Sequence, residues 1–363
     1  MQAPVSLRFR VFFCMSLPRR FAFSVAYVGR LLHTLRVITP ESPVKYAKER
    51  IGATYGSKLS AGGSAADLRR PSGAILEGTA LLCDSELNLH IDFPALPGVR
   101  GIIPREEAVY TRPGEPVKDI AILTRVGKAV CFKVQGIDTP DAEGLTTVRL
   151  SRRAAQAECA AVYIADLAPG DVVRGRVTHL ESFGAFVDIG CGLCSLLPVD
   201  AMSVSRIRHP RERLYNGQLI WAVVRSVDQD SGRIVLTMRE LLGTWTENAA
   251  RFEPGQTVAG IVRSVEEYGV FVELAPNLAG LAELRDGDRE MAQALVGRTA
   301  AVFIKSITPE RMKVKLVLID ACRNEPLPAP RLDYFIRGDR VPHIDRWVYS
   351  PLGAKRFMGT TFS

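Results

Sequence analysis

From Ile75 to Asp320 the chain is written in short apolar runs separated by turn-forming residues. In Ala185–Ile189, the apolar Ala185, Val187 and Ile189 alternate with Phe186 and Asp188, the period of a strand with one buried face. The valine-rich stretch Asp171–Leu180 predicts a strand that ends at a turn around Phe183-Gly184, and Ser195–Val199 predicts a short third strand. Leu219–Val227 and Arg233–Met238 predict a closing pair joined across Asp230-Ser231-Gly232, a favourable turn sequence. Helix-like spacing is confined to Ala154–Leu167 and Leu241–Phe252, each between two strand clusters.

The strand pattern repeats. Residues 169–199 align with 254–284 at a constant offset of 85 without a gap, and 11 of the 31 positions are identical. These include Pro169/Pro254, Gly175/Gly260, Gly184/Gly269, Phe186/Phe271 and Val187/Val272, with Phe183/Tyr268 chemically equivalent. Closing strands for the later copy are expected at Thr299–Ile307 and Met312–Leu318. An earlier, degenerate copy spans Ile75–Arg153 and keeps Gly78, Gly101-Ile102-Ile103-Pro104 and Val148-Arg149-Leu150-Ser151.

Five short strands in about 70 residues fit a small closed barrel better than a sandwich, which needs more strands. The predicted fold class is therefore all-β: tandem five-stranded OB-fold barrels joined by short helical linkers. The expected boundaries are a leader and linker at 1–73, a degenerate repeat at 74–153 and a helical linker at 154–168. A repeat at 169–240, a second linker at 241–253, a repeat at 254–322 and a C-terminal tail at 323–363 complete the chain. Short linkers between barrels predict beads on a string.

Charge changes the picture less than the total implies. The net charge is +8, but residues 1–40 hold six arginines and no acidic residue, which leaves +2 over the other 323 positions. The repeats are nearly neutral, so any nucleic-acid reading must rest on local features. The Arg-rich leader fits either a mitochondrial presequence or an extension upstream of an internal start such as Met15. A short helix is expected near Val44–Arg50, and Pro326, Pro328 and Pro330 mark a linker before the tail. No apolar run is long enough for a membrane-spanning helix. The seven cysteines show no regular framework, and Cys191-x-x-Cys194 is a lone pair without the second pair that tetrahedral zinc needs.

The candidate chemistry lies on the outward faces. Phe186 and Phe271 oppose the buried valines, while Phe183 and Tyr268 lie three positions earlier. A bulge or tight turn at Gly184 and Gly269 would reset the pleat and let each pair share one surface. Two exposed rings suit stacking on unpaired bases; packing against a neighbouring linker helix explains them equally well. Arg174, Arg176, Arg225 and Arg233 in one copy, and Arg263, Lys305, Lys313 and Lys315 in the other, offer cations for phosphates. Arg206-Ile207-Arg208-His209-Pro210-Arg211 adds a basic loop.

The pattern Pro-Gly-x-x-Val-x-Gly-x-Val to Phe-Gly-Ala-Phe-Val-Asp over Pro169–Asp188, followed by Ser195-Leu196-Leu197-Pro198 and Arg233–Thr237, resembles the S-one RNA-binding domain family, typified by the bacterial small-subunit ribosomal protein. Glu240–Asn248 resembles that protein's inter-repeat region. The resemblance implies single-stranded RNA, mRNA included, as partner, with translation on the small ribosomal subunit as setting and the cytoplasm as location. It implies no cofactor, membrane or small-molecule substrate.

The family's two stacking aromatics correspond to Phe183 and Phe186, and again to Tyr268 and Phe271. Its Asp and Arg at the last turn correspond to Asp228 and Arg233; the later copy has Thr308 and Lys313 there, keeping only the cation. Its frequent third-strand histidine corresponds to Pro198 and Glu283, so that contact is missing in both copies. In the degenerate copy the aromatic positions are expected at Glu86 and at Asn88 or Leu89, with no stacking platform. The sequence lacks a P-loop, GxSxG, HExxH or GxGxxG in strand–helix context, and its five histidines are scattered. The reading is a non-catalytic RNA binder, against an RNA regulator or chaperone outside the ribosome and against a protein-docking scaffold.

Overall fold

The computed structural model describes residues 75–93, 98–111, 116–228, 232–283, 293–321 and 332–362. The leader with the helix expected near Val44–Arg50, the turn residues Asp230 and Ser231, and the proline linker lie outside the described residues.

Fifteen strands close into three barrels of one topology. Barrel one is built from β1 (Leu76–Cys83), β2 (Leu89–Asp92), β3 (Val99–Ile103), β4 (Ala129–Ile137) and β5 (Thr146–Ser151), with a short helix α1 (Asp119–Leu123) before β4. Helix α2 (Arg152–Cys159) follows and runs on as a π turn at Ala160–Ile164. Barrel two comprises β6 (Val172–Glu181), β7 (Gly184–Asp188), β8 (Cys194–Pro198), β9 (Leu219–Asp228) and β10 (Arg233–Thr237). After α3 (Trp245–Ala249), barrel three comprises β11 (Thr257–Glu266), β12 (Gly269–Ala275), β13 (Leu278–Ala282), β14 (Thr299–Thr308) and β15 (Lys313–Ala321). The C-terminal segment adds a two-stranded sheet of β16 (Arg346–Val348) and β17 (Gly359–Thr361).

Within each barrel the first strand pairs with the second and fourth, and the third and fifth pair in parallel to close the ring. This is the OB-fold arrangement, and the alternation in sequence explains it: Ala185, Val187, Leu197, Ile234 and Leu236 all point inward and are buried. Glycine is required where strands wrap tightly. A Cβ on Gly175 or Gly260 would lie 2.4 or 2.5 Å from the valine of the adjacent strand, Val187 or Val272.

The chain divides into two compact units: barrel one, and a body formed by barrels two and three with the C-terminal segment. Barrels two and three therefore depart from the beads-on-a-string expectation. One buried cluster joins Val172 and Val223 of barrel two, Leu241 and Trp245 of the connection, Val262 and Val302 of barrel three, and Trp347 and Tyr349 of the tail. Asn277, fully buried, stitches the same region: its Oδ1 accepts from the Val204 amide at 2.9 Å, and its Nδ2 donates to the carbonyls of Arg239 and Gly243 at 2.7 and 2.8 Å. The connection between these barrels buries Leu241, Leu242 and Trp245, and that burial draws the barrels together.

The tail packs against the body of barrels two and three. The Trp221 amide donates to the Tyr334 hydroxyl at 3.1 Å, the Tyr349 hydroxyl donates to the Asn277 carbonyl at 2.6 Å, and burial pushes both phenols to higher pKa. His343 and Asp171 add a side-chain pair at 2.9 Å that ties the tail to barrel two.

Candidate nucleic-acid interface

Each aromatic pair comes together on one barrel face. The rings of Phe183 and Phe186 lie 6.1 Å apart at 89°, and those of Tyr268 and Phe271 repeat the same 6.1 Å and 89°. The leading ring of each pair stands well into solvent, Phe183 at 55% and Tyr268 at 65% exposure, while the second is half-buried. Edge-to-face contact holds one ring upright against the other and leaves a flat surface free.

Of the two expected devices, a turn and not a bulge at glycine makes this placement. Gly184 sits in regular register, opposite Glu181 on one side and Pro198 on the other. Phe183 is a turn residue, so the strand period does not bind it. The glycine is needed for close approach: a Cβ on Gly184 would lie 2.6 Å from the Leu197 carbonyl oxygen, and one on Gly269 2.5 Å from that of Ala282. The bulge lies instead in the preceding strand, between Val177 and His179 and between Val262 and Ser264.

Phe186 lies directly across from Leu196, which in turn pairs with Val235. Beside this apolar strip, Asp228 and Arg233 are exposed register partners at the closing hairpin. Arg176 is half-buried and donates to the Gly217 carbonyl at 3.2 Å. Arg225 is the extra residue of a bulge in β9, and Lys305 holds the same place in β14; both are exposed. A bulge re-aims the side chain it carries, and here it turns a cation outward in both barrels. The strand period alone gave no sign of this shared device. Arg206, Arg208 and Arg211 of the basic loop are exposed as well.

Barrel three keeps the same frame with altered charges. Phe271 opposes Leu281, and Leu281 pairs with Lys315 where barrel two has Val235. Lys313 is exposed, but Lys315 lies 3.7 Å from Glu283 and is partly neutralised. Arg263 requires a correction as a phosphate-facing residue. Its side chain is 8% exposed, grips Glu273 through two hydrogen bonds of 2.8 and 3.1 Å, and pairs with Glu212 of barrel two. Glu273 also pairs with Arg213, itself 4% exposed, and burial pulls that guanidinium below its usual pKa range. A cation closed between two barrels by carboxylates is structural, and its partners at positions 212 and 273 give no signal in the local strand pattern.

In barrel one, register moves the expected positions. Leu82 pairs with His90 as His179 pairs with Phe186, and His90 pairs with Ile102 as Phe186 pairs with Leu196. His90, not Asn88 or Leu89, therefore occupies the place of the second aromatic. The hairpin holds one residue more than in barrel two, and Leu87 absorbs it at φ 68° while packing toward the core. His90 lies 3.0 Å from Asp84, whose carboxyl that contact, helped by the Asn88 amide, holds at a pKa of about 2.

Residues 166–239, the whole of barrel two, match the family model of the S1 RNA binding domain. Barrel two is thus similar to the S1 RNA binding domain. Over a longer span the chain is similar to small ribosomal subunit protein bS1. It is 28% identical over 269 residues to the bS1 homolog of Bacillus subtilis (strain 168), covering 73% of this chain and 65% of that one. It is 29% identical over 228 residues to bS1 of Staphylococcus aureus (strain N315), covering 61% and 54%. Against bS1 of Rhizobium meliloti (strain 1021) it is 26% identical over 236 residues, covering 63% and 40%. The chain thus spans between two fifths and two thirds of the length of these relatives. A multidomain protein with nucleic acid binding domains from Streptococcus pneumoniae aligns over 68% of this chain and 73% of its own, at 17% identity and a TM-score of 0.22, too loose a likeness to argue from.

Proposed function

We propose that the chain binds single-stranded RNA, mRNA in particular, on the outward faces of barrels two and three, and that it acts in translation beside the small ribosomal subunit without catalysing a reaction. The observation that carries this reading is the pair of perpendicular rings, one of them mostly in solvent, repeated with one geometry in two barrels. A core needs no such rings on its outer face, whereas an unpaired base gains ~1–3 kcal/mol by stacking on one. The match to an S1 RNA binding domain and the similarity to bS1 proteins support the RNA partner, the ribosomal setting and a cytoplasmic location.

Barrel two is the stronger site. Its strip carries Phe183, Phe186, Arg233 and the outward Arg225, and no carboxylate occupies the place that Glu283 holds in barrel three. Fluorescence anisotropy with labelled oligouridine tests the reading. Phe183→Ala with Phe186→Ala is expected to lose at least tenfold in affinity, ~1.4 kcal/mol. Because the repeats are nearly neutral, the affinity should fall only shallowly with salt, each neutralised phosphate adding about 0.7 to the slope on a single strand. Unchanged affinity in the double variant would remove the stacking surface from the mechanism. Ribosome co-sedimentation that survives nuclease separates a ribosomal role from that of a free RNA regulator.

A further inference from the structure

The C-terminal segment carries a second aromatic and cationic surface, outside every barrel. Between β16 and β17 the chain makes a loop whose base is fixed by four hydrogen bonds. The amides of Tyr349 and Ser350 donate to the Met358 carbonyl at 2.9 and 3.2 Å. The Ser350 hydroxyl donates to the Arg356 carbonyl at 2.9 Å and accepts from the Met358 amide at 2.7 Å. Phe357 projects from this loop, 63% exposed, with the Arg346 guanidinium 5.7 Å from its ring centroid. Lys355 and Arg356 flank it and are exposed. Gly359 lets the ring lie close, because a Cβ there would come within 3.0 Å of its tip.

Arg346 and Phe357 line an open cleft of about 620 Å³ that also presents Thr244, Thr246 and Ser350. The cleft is of the size that takes a small organic ligand or a nucleotide. A flat ring beside a guanidinium is what an unpaired base and its phosphate need, and the exposed Lys355 and Arg356 adjoin the ring in sequence. The loop is also in the right place. The Lys355 amide donates to the Glu310 carbonyl at 3.0 Å, on the β14–β15 turn that leads into Lys313.

We propose that this cleft is a third RNA contact, in which a base of a strand leaving barrel three stacks on Phe357 while Arg346, Lys355 and Arg356 meet its phosphates. The inference rests on the RNA-binding reading above and extends it to a site that lies outside the S1 domain match.

The test uses the full chain and an oligouridine bearing 4-thiouridine. Irradiation of the complex followed by peptide mapping should place a crosslink at Phe357 or its loop neighbours. Phe357→Ala should weaken binding about fivefold, the lower bound for one stacked base, and Phe357→Trp should restore it. The ring is exposed, so neither change threatens the fold. Binding by the wild-type chain with no crosslink in 346–358 and no loss in Phe357→Ala overturns this inference and leaves the barrel reading standing. Failure of the wild-type chain to bind oligouridine overturns both.

Discussion

Barrels one and two have the same strand order, the same parallel closure between third and fifth strands and the same bulge in the first strand, yet they carry different residues on the equivalent outward face. Where barrel two sets Phe186 against Leu196, barrel one sets His90 against Ile102. Where Phe183 stands free, Leu87 folds back toward the core. Inward positions maintain a barrel because each buried valine or leucine contributes stability wherever the chain is used. Outward positions are free of that constraint, so one copy can keep a stacking surface while the other replaces it with an Asp–His contact.

The sharpest way to break this comparison acts on how the copies are joined. Glu273→Leu removes the carboxylate between Arg213 and Arg263 and leaves Arg213 buried without that partner. A loss of about 3–5 kcal/mol is expected for the body of barrels two and three, seen as a shifted denaturant midpoint by Trp221, Trp245 and Trp347 fluorescence. Barrel one, a separate unit without tryptophan among its described residues, should unfold at its original midpoint by far-UV dichroism. A common shift of both transitions would mean that the units are coupled.

Next in size is the RNA contrast. Against the tenfold or greater loss for the double aromatic variant of barrel two, His90→Ala should change oligouridine affinity by less than about twofold, the level of a contact without stacking. An equal loss would give barrel one a direct RNA role.

A smaller effect concerns barrel one and pH. Asp84 is lowered to a pKa of about 2 in the fold, so its contact with His90 contributes stability above the unfolded carboxyl value near ~3.9 and loses it as pH falls through 2. In His90→Ala the Asp84 carboxyl should titrate higher than in the wild-type fold but stay below the ordinary aspartate range, because the Asn88 and Glu86 amides still donate to it, which a carbon-detected NMR titration would show.

The smallest expected effect lies in barrel three. Glu283→Ala frees Lys315 and should raise RNA affinity about two- to threefold, with a salt slope steeper by up to about 0.7. No change would indicate that Lys315 does not reach the strand.

Much of this was legible from residues. The offset of 85 places β6 over β11 residue for residue, and the Phe-Gly-x-Phe and Tyr-Gly-x-Phe motifs locate both ring pairs. His90 was missed because one extra hairpin residue, taken up at Leu87 by a positive φ, leaves the alternation on either side intact. Arg263 was misassigned because a bulge turns it off the outer face toward Glu212, 51 positions away.

The sequence by itself determined three barrels of one kind and which faces of two of them carry aromatics, because alternation and repetition are local properties. Only the tertiary structure decided that barrels two and three share a core, that Arg263 is closed between carboxylates, and that the tail buries Trp347 while holding Phe357 out in solvent. Those outcomes depend on which distant groups meet, and the burial of a charge or a ring is fixed by its neighbours in space.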